Sequence, residues 1–374
     1  MRILVSMFFV RSLDLEGGER TLDSLAKSYV ALGHDVTVLA PLKKKGTEYS
    51  IVDYHDQKVG LLQNMVRYLK VLKEHARSCD ILHLFVVSPG THFSGFSISD
   101  FREKTFITFG TPLLRFPLLR LNRQNLAHYL AKNRILARFW PANCQRAVVS
   151  TEFQKRQLES VGFPKDKIDV FSSWGISKAD FRPYSKLRAK SEFDFGQGFV
   201  ISYIGHFHHI KGVSYLVKAF EKAGGNNILA LAWSGKGSDT KQVLRLIKHS
   251  PARDSIRLLG KVDVRRFLAA SDIVVLPYNY MSLPHFPLVM IEAFAMGVPV
   301  ITTDVGGLSE MVQNQKTGLI VKPGSVEDLA SAIRLLAGDK VLRSRISVNS
   351  RRQFLSKYEI GVVARRYLRF FSKS

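Results

Sequence analysis

Acidic side chains are scarce in this sequence: 31 Asp and Glu stand against 55 Lys and Arg, a formal net charge of +24 at pH 7. That excess favours polyanionic surroundings (nucleic acid, anionic lipid or a phosphorylated substrate) without choosing among them. Cysteine is scarcer still. Cys79 and Cys144 are the two in 374 residues, and they lack metal or redox spacing. A disulfide framework is not implied, and a reducing cytoplasm fits. No apolar run reaches the ~20 residues that span a bilayer. The opening Met1–Ser6 reads as a first core strand, without a cleavage site of signal type and with Asp14 and Glu16 close behind. There is no Asp-x-Asp pair and no His, Cys or Asp cluster with ligand spacing, so neither a metal nor a cofactor is implied. His208 and His209 would point to opposite sides of a regular element, which argues against a metal there.

What is present is length and alternation. A chain of 374 residues with 46% hydrophobic content exceeds one core and suits two domains. Apolar runs of strand type alternate with segments of helical spacing, which implies doubly wound parallel sheets. Ile3–Val10, the loop Arg11–Gly18, a helix over Glu19–Leu32 and a strand at His34–Leu39 make a first β-α-β unit. Its turn holds Gly17 and Gly18 but no G-x-G-x-x-G fingerprint. The polar stretch Ser177–Gly198 reads as a linker, and the alternation restarts at Phe199. The expected division is a Rossmann-like domain over 1–176, a linker over 177–198, a second such domain over 199–355, and a C-terminal helix over 356–374 that packs back on the first. Two domains of this kind face each other across a cleft. Ligands sit at the C-terminal ends of their strands, so the loops 11–18, 110–114, 205–212, 234–238 and 279–287 matter most.

The stretch Asp272–Val321 stands out. Phe286–Met296 is apolar on nearly every side and reads as a buried helix interrupted by Glu292. A lone carboxylate there is costly unless something binds it. It is either a helix residue tied to nearby backbone or Arg, or a clamp for sugar hydroxyls.

The pattern L-x-x-x-E-A-x-A-x-G-x-P-V-I-x-x-x-x-G-G-x-x-E runs through Leu288, Glu292, Ala293, Ala295, Gly297, Pro299, Val300, Ile301, Gly306, Gly307 and Glu310. With Gly33–Val38, Asp80–His83, Tyr203–Gly205, Lys211–Gly212 and Ser234–Gly237, it resembles the family-4 retaining glycosyltransferases of the GT-B fold, over nearly the whole chain. The resemblance implies a nucleotide diphosphate sugar donor of UDP or GDP type, bound mainly by the second domain, and hexosyl transfer to a glycan or lipid-linked acceptor. Lys211 matches the family's diphosphate lysine. The paired arginine is His206 here, a pH-dependent phosphate partner. Glu292 matches the carboxylate that binds ribose hydroxyls, which favours the clamp. The Leu288 and Val289 amides, Gly17 and Gly235 match positions that approach the donor.

Three departures stand beside this. Pro284 replaces the family's first Glu, and the glycine-rich turn reads His285-Phe286-Pro287-Leu288, with Pro287 removing one N–H. His285 is a candidate for the lost sugar contact or a surface loop residue. Gly110 replaces a histidine after the Phe106–Phe109 strand. In this retaining class the leaving phosphate takes the acceptor's proton, so the last change does not exclude catalysis. The alternative is a degenerate nucleotide-sugar-binding scaffold or regulator.

From Lys104 to Thr151 there are eight Lys or Arg and no acid. Apolar residues and Arg interleave over Pro112–Leu121, and a basic helix is expected over Asn122–Trp140. This fits either a surface resting on anionic lipid, at the inner membrane face, or a core helix with a solvated basic edge. Nucleic-acid binding has charge but no motif behind it.

Overall fold

The structure is a computed structural model that describes residues 1–7, 15–40, 47–56, 58–86, 98–110, 140–182, 184–233, 235, 237–279 and 287–373. The chain forms two compact units. The first is Met1–Ser177 together with Lys357–Ser374, and the second is Lys178–Ser356.

The first unit is built on a parallel sheet of β1 (Arg2–Met7), β2 (Asp35–Leu39), β3 (Ser50–Val52), β4 (Ile81–Val86), β5 (Thr105–Phe109), β6 (Arg146–Val149) and β7 (Ile168–Val170). Their order is β3-β2-β1-β4-β5-β6-β7. Every residue of β4 and β5 is buried, as expected of strands covered on both faces, which read as continuous apolar runs. β1 sits centrally, with Ile3 opposite both Val36 and Ile81.

Helix Leu15–Ala31 starts four residues earlier than the sequence implied. Gly17 therefore lies in its first turn and not in the preceding loop. Glycine is tolerated better there than in a helix interior.

The last helix of the first unit is Ile360–Phe371, whose start is capped by Glu359 Oε2 accepting from the Gly361 amide at 2.9 Å. Its aromatic face is buried against the sheet. Tyr367 lies 4.5 Å from the His83 ring and Phe370 5.2 Å from Phe106. A polar thread runs through this contact: His83 Nε2 is 2.9 Å from Thr108 Oγ1, which is 3.0 Å from the Tyr367 hydroxyl, and Tyr367 donates to the Ser173 carbonyl at 3.1 Å.

The second unit carries β8 (Phe199–Ile204), β9 (Asn227–Ala232), β10 (Ile256–Leu259), β11 (Ile273–Leu276), β12 (Val300–Thr303) and β13 (Gly318–Val321), all parallel, in the order β10-β9-β8-β11-β12-β13. One cluster, including Ile201, Leu231, Val275 and Ile333, fills one face. A smaller one, including Ala189, Phe195, Ala230 and Phe267, fills part of the other.

That second cluster corrects the expected linker. Residues 178–198 belong to the second unit and contain a helix, Lys186–Glu192. Phe193 stacks on Phe195 and meets Phe267 edge-on. Lys186 and Lys190 reach Asp272 at 2.6 and 2.9 Å. Phe181, Ala189 and Phe195 of this stretch are buried while Leu187 stays exposed, and its lysines answer a carboxylate at the foot of β11.

The basic segment 111–139 lies outside the described residues. Among the described residues, no helix is long and apolar enough to cross a membrane.

Candidate functional site

In the second unit the chain order reverses between β8 and β11, which places the C-terminal ends of these two strands at the switch point of the sheet. In open parallel sheets that point leaves a crevice. Three loops meet there, and glycine is what lets them meet.

The loop after β8 begins at Gly205 and ends at Gly212. Phe207 turns inward, is fully buried, and stacks on Trp233 at the end of β9 with centroids 4.7 Å apart and planes 3° off parallel. Its carbonyl accepts from the Asp239 amide at 2.9 Å. Gly237 passes so close that a β-carbon would lie 1.9 Å from the Phe207 oxygen. The same loop is stitched to the end of β11. The Asn279 amide donates to the Ile210 carbonyl at 3.1 Å, and its side chain donates to the His209 carbonyl at 2.6 Å. Gly212, at φ +69°, fits against the Pro277 carbonyl.

This stitching fixes the charged groups. Lys211, half-buried, donates to the Tyr278 hydroxyl at 3.0 Å and lies 4.6 Å from the ring centre. His206 is exposed, and its carbonyl accepts from the Tyr203 hydroxyl at 2.7 Å. Gly235, at φ +82°, is exposed on the neighbouring loop. Lys211, His206 and Gly235 thus lie on adjacent strand-end loops. Helix Val213–Ala223 starts directly after Gly212, one residue beyond Lys211. An ammonium, an imidazole and a helix N-terminus together suit an anion.

His208 and His209 have ring centroids 4.6 Å apart. They were expected to diverge, but the loop is irregular and imposes no alternation. His208 Nδ1 is buried without a hydrogen-bond partner. Burial, helped by the neighbouring His209, lowers its pKa and keeps the ring neutral. Among the described residues no group of three or more His, Cys, Asp or Glu could hold a metal ion.

Helix Leu288–Met296 follows β11. Leu288 and Val289 are its first two residues and half-buried, so their N–H groups precede any intrahelical partner. Glu292 is only 3% exposed in a helix whose other buried residues are all apolar. Gly297 ends the helix in the left-handed region, and Ser347 donates to its carbonyl at 2.6 Å. His285 and Pro284 lie outside the described residues. Gly17 and Gly110 belong to the first unit, where Gly110 is buried after β5.

Tyr278 was not singled out from the sequence, and Asn279 only as the first residue of the loop 279–287. Their signal was position: they are the first side chains after the Pro277 that ends an apolar strand.

Known proteins bear on this arrangement. Residues 15–173 match the family described as Glycosyltransferase Family 4, and residues 185–353 match Glycosyl transferases group 1. An uncharacterized glycosyltransferase of Methanocaldococcus jannaschii is 26% identical over 231 residues, 60% of this chain and 58% of that protein. The chain spans about half the length of the curated relatives it matches. A glycosyltransferase structure from Rickettsia africae superposes with a TM-score of 0.78 at 20% identity, covering 100% of this chain and 98% of that one. The Anabaena protein Alr3699/HepE, solved in complex with UDP and glucose, gives 0.77 at 16%, covering 100% of both chains. At these identities the likeness speaks for the fold, two parallel-sheet α/β units of the GT-B class.

Proposed function

The chain belongs to the family-4, group 1 glycosyltransferases, and on that premise we propose that it transfers a hexosyl group from a UDP- or GDP-sugar to a glycan or lipid-linked acceptor with retention. Lys211 and His206 hold the diphosphate. The Leu288 and Val289 amides and that of Gly235 cradle phosphate oxygens. Glu292 accepts hydrogen bonds from ribose hydroxyls. In the transfer, the acceptor oxygen bonds to the anomeric carbon as the bond from that carbon to the diphosphate breaks. The acceptor's proton passes to the leaving phosphate oxygen, and the nucleoside diphosphate departs. No metal is called for, since cationic side chains and amides stabilise the leaving charge.

The observation that supports this reading is Lys211: a cation fixed at the switch point of a parallel sheet, beside a helix N-terminus. The UDP bound by the Anabaena neighbour agrees with the donor class. Turnover of UDP- and GDP-sugars, followed by release of the nucleoside diphosphate, tests it. No turnover with any donor, alongside tight nucleotide binding, would establish the second reading, a donor-binding scaffold. Gly110 favours that second reading, since it brings no side chain to the position where the family carries a histidine.

The excess of Lys and Arg over 104–151 supports a peripheral association with anionic lipid, as suits a lipid-linked acceptor. Flotation with anionic vesicles at low salt is the expected result; failure to float removes the membrane from the proposal.

A further inference from the structure

Lys211 was legible in the sequence; what holds it was not. Its ammonium meets one side chain, with a hydrogen bond to the Tyr278 hydroxyl at 3.0 Å and a distance of 4.6 Å to the ring centre. Tyr278 is itself immobile. It is 3% exposed, its amide donates to the Leu276 carbonyl at 3.0 Å, and its carbonyl accepts from Thr303 Oγ1 at 2.7 Å. The residues beside the pair are locked together as well, Gly212 against Pro277. Both backbones are therefore fixed before the side chains meet.

This matters because lysine is a point charge on a flexible four-carbon stem, and an anion that captures it must also order it. A carboxylate partner would order the stem but compete with the ligand for its charge. A phenol orders it and leaves the charge available.

Resting on the diphosphate reading above, we propose that Tyr278 is a positioning residue of the donor site, which presents the Lys211 ammonium to the diphosphate and affects ligand only through Lys211.

The test is a double-mutant cycle on the full chain with UDP and GDP, using Tyr278→Phe, Lys211→Ala and the double variant, with affinities read by calorimetry. Ligand-observed NMR with uridine and guanosine serves as the phosphate-free control. Tyr278→Phe keeps the ring and removes the hydroxyl. Its expected effect is a roughly fivefold weakening for the better-bound diphosphate, the range of one hydrogen bond, with the nucleoside unaffected. In the Lys211→Ala background the tyrosine change should have no further effect. An additive cycle overturns the inference while leaving the diphosphate role of Lys211 intact, and so does equal weakening of nucleoside and diphosphate, the mark of a merely structural residue. If Lys211→Ala binds both diphosphates as the natural chain does, the diphosphate reading falls and takes this inference with it.

Discussion

Gly212 and Pro277 touch: a β-carbon on Gly212 would stand 1.8 Å from the Pro277 carbonyl oxygen, in a backbone at φ +69° that side-chain-bearing residues rarely adopt. Relief would require moving the end of β11 or the loop that carries Lys211. Gly212→Ala should therefore destabilise the second unit by about 3 kcal/mol or more, strain and overpacking combined. Gly235 has a similar φ of +82° but nothing within 4 Å of its β-carbon position. Gly235→Ala should cost about 1 kcal/mol, the conformational part alone. Urea unfolding of the two variants side by side measures the difference.

Glu292→Gln keeps the volume of a 3%-exposed side chain and removes its charge. If the carboxylate accepts from ribose hydroxyls, the loss is that of charge-assisted hydrogen bonds, about 1.5–3 kcal/mol. Nucleotide affinity should fall about 10- to 100-fold, while the unfolding midpoint moves little. A large fall in stability with unchanged affinity would return Glu292 to the role of a helix tie.

Burial lowers the His83 pKa to about 3 from an ordinary 6.5. The folded ring stays neutral while the unfolded one takes up a proton below pH 6.5. Stability is then whole above pH 6.5 and is lost as pH falls toward 3. The slope from this one site approaches about 1.4 kcal/mol per pH unit. His83→Gln removes the titration, so its stability should depend less on pH between 6.5 and 4 than that of the natural chain, as unfolding curves at several pH values will report.

Asp272 sits under the helix Lys186–Glu192. It accepts from the Val200 amide at 2.8 Å as well as from both lysines. Burial alone would raise its pKa, but the ammonium groups outweigh it and hold the carboxyl below its usual range. Asp272→Ala leaves Lys190 largely buried, with no counter-charge and only the Gly198 carbonyl at 2.7 Å to accept from it, a change of about 3 kcal/mol. Lys186, half-exposed, adds little. Thermal unfolding should show the loss, and proteolysis should first appear within 178–198.

All strands but β3 were legible because parallel strands buried on both faces are short apolar runs between turn residues, as Ile81–Val86 and Ile273–Leu276 are, whereas the three-residue Ser50–Val52 is only partly covered. Lys211, His206 and Glu292 were legible through their spacing to glycines and strand ends. The helix at Lys186–Glu192 was not. At seven residues it is too short for periodicity to rise above its polar surroundings, and its reason for being there, Asp272, lies far along the chain. Tyr278 was missed on similar grounds. A tyrosine after a strand is unremarkable until Lys211, 67 residues earlier in sequence, is seen against it.

The helix Ile360–Phe371 belongs to the first unit, yet the whole second unit, Lys178–Ser356, separates it from the remainder. During synthesis, the sheet formed by residues up to 177 must wait for some 190 further residues before Tyr367, Phe370 and Phe371 can cover His83 and Phe106. The second unit is continuous and can complete itself as it emerges. The order of maturation is thus the reverse of the order of translation: the part that begins first finishes last, and in the interval its aromatic face is a surface for chaperones or for misassembly.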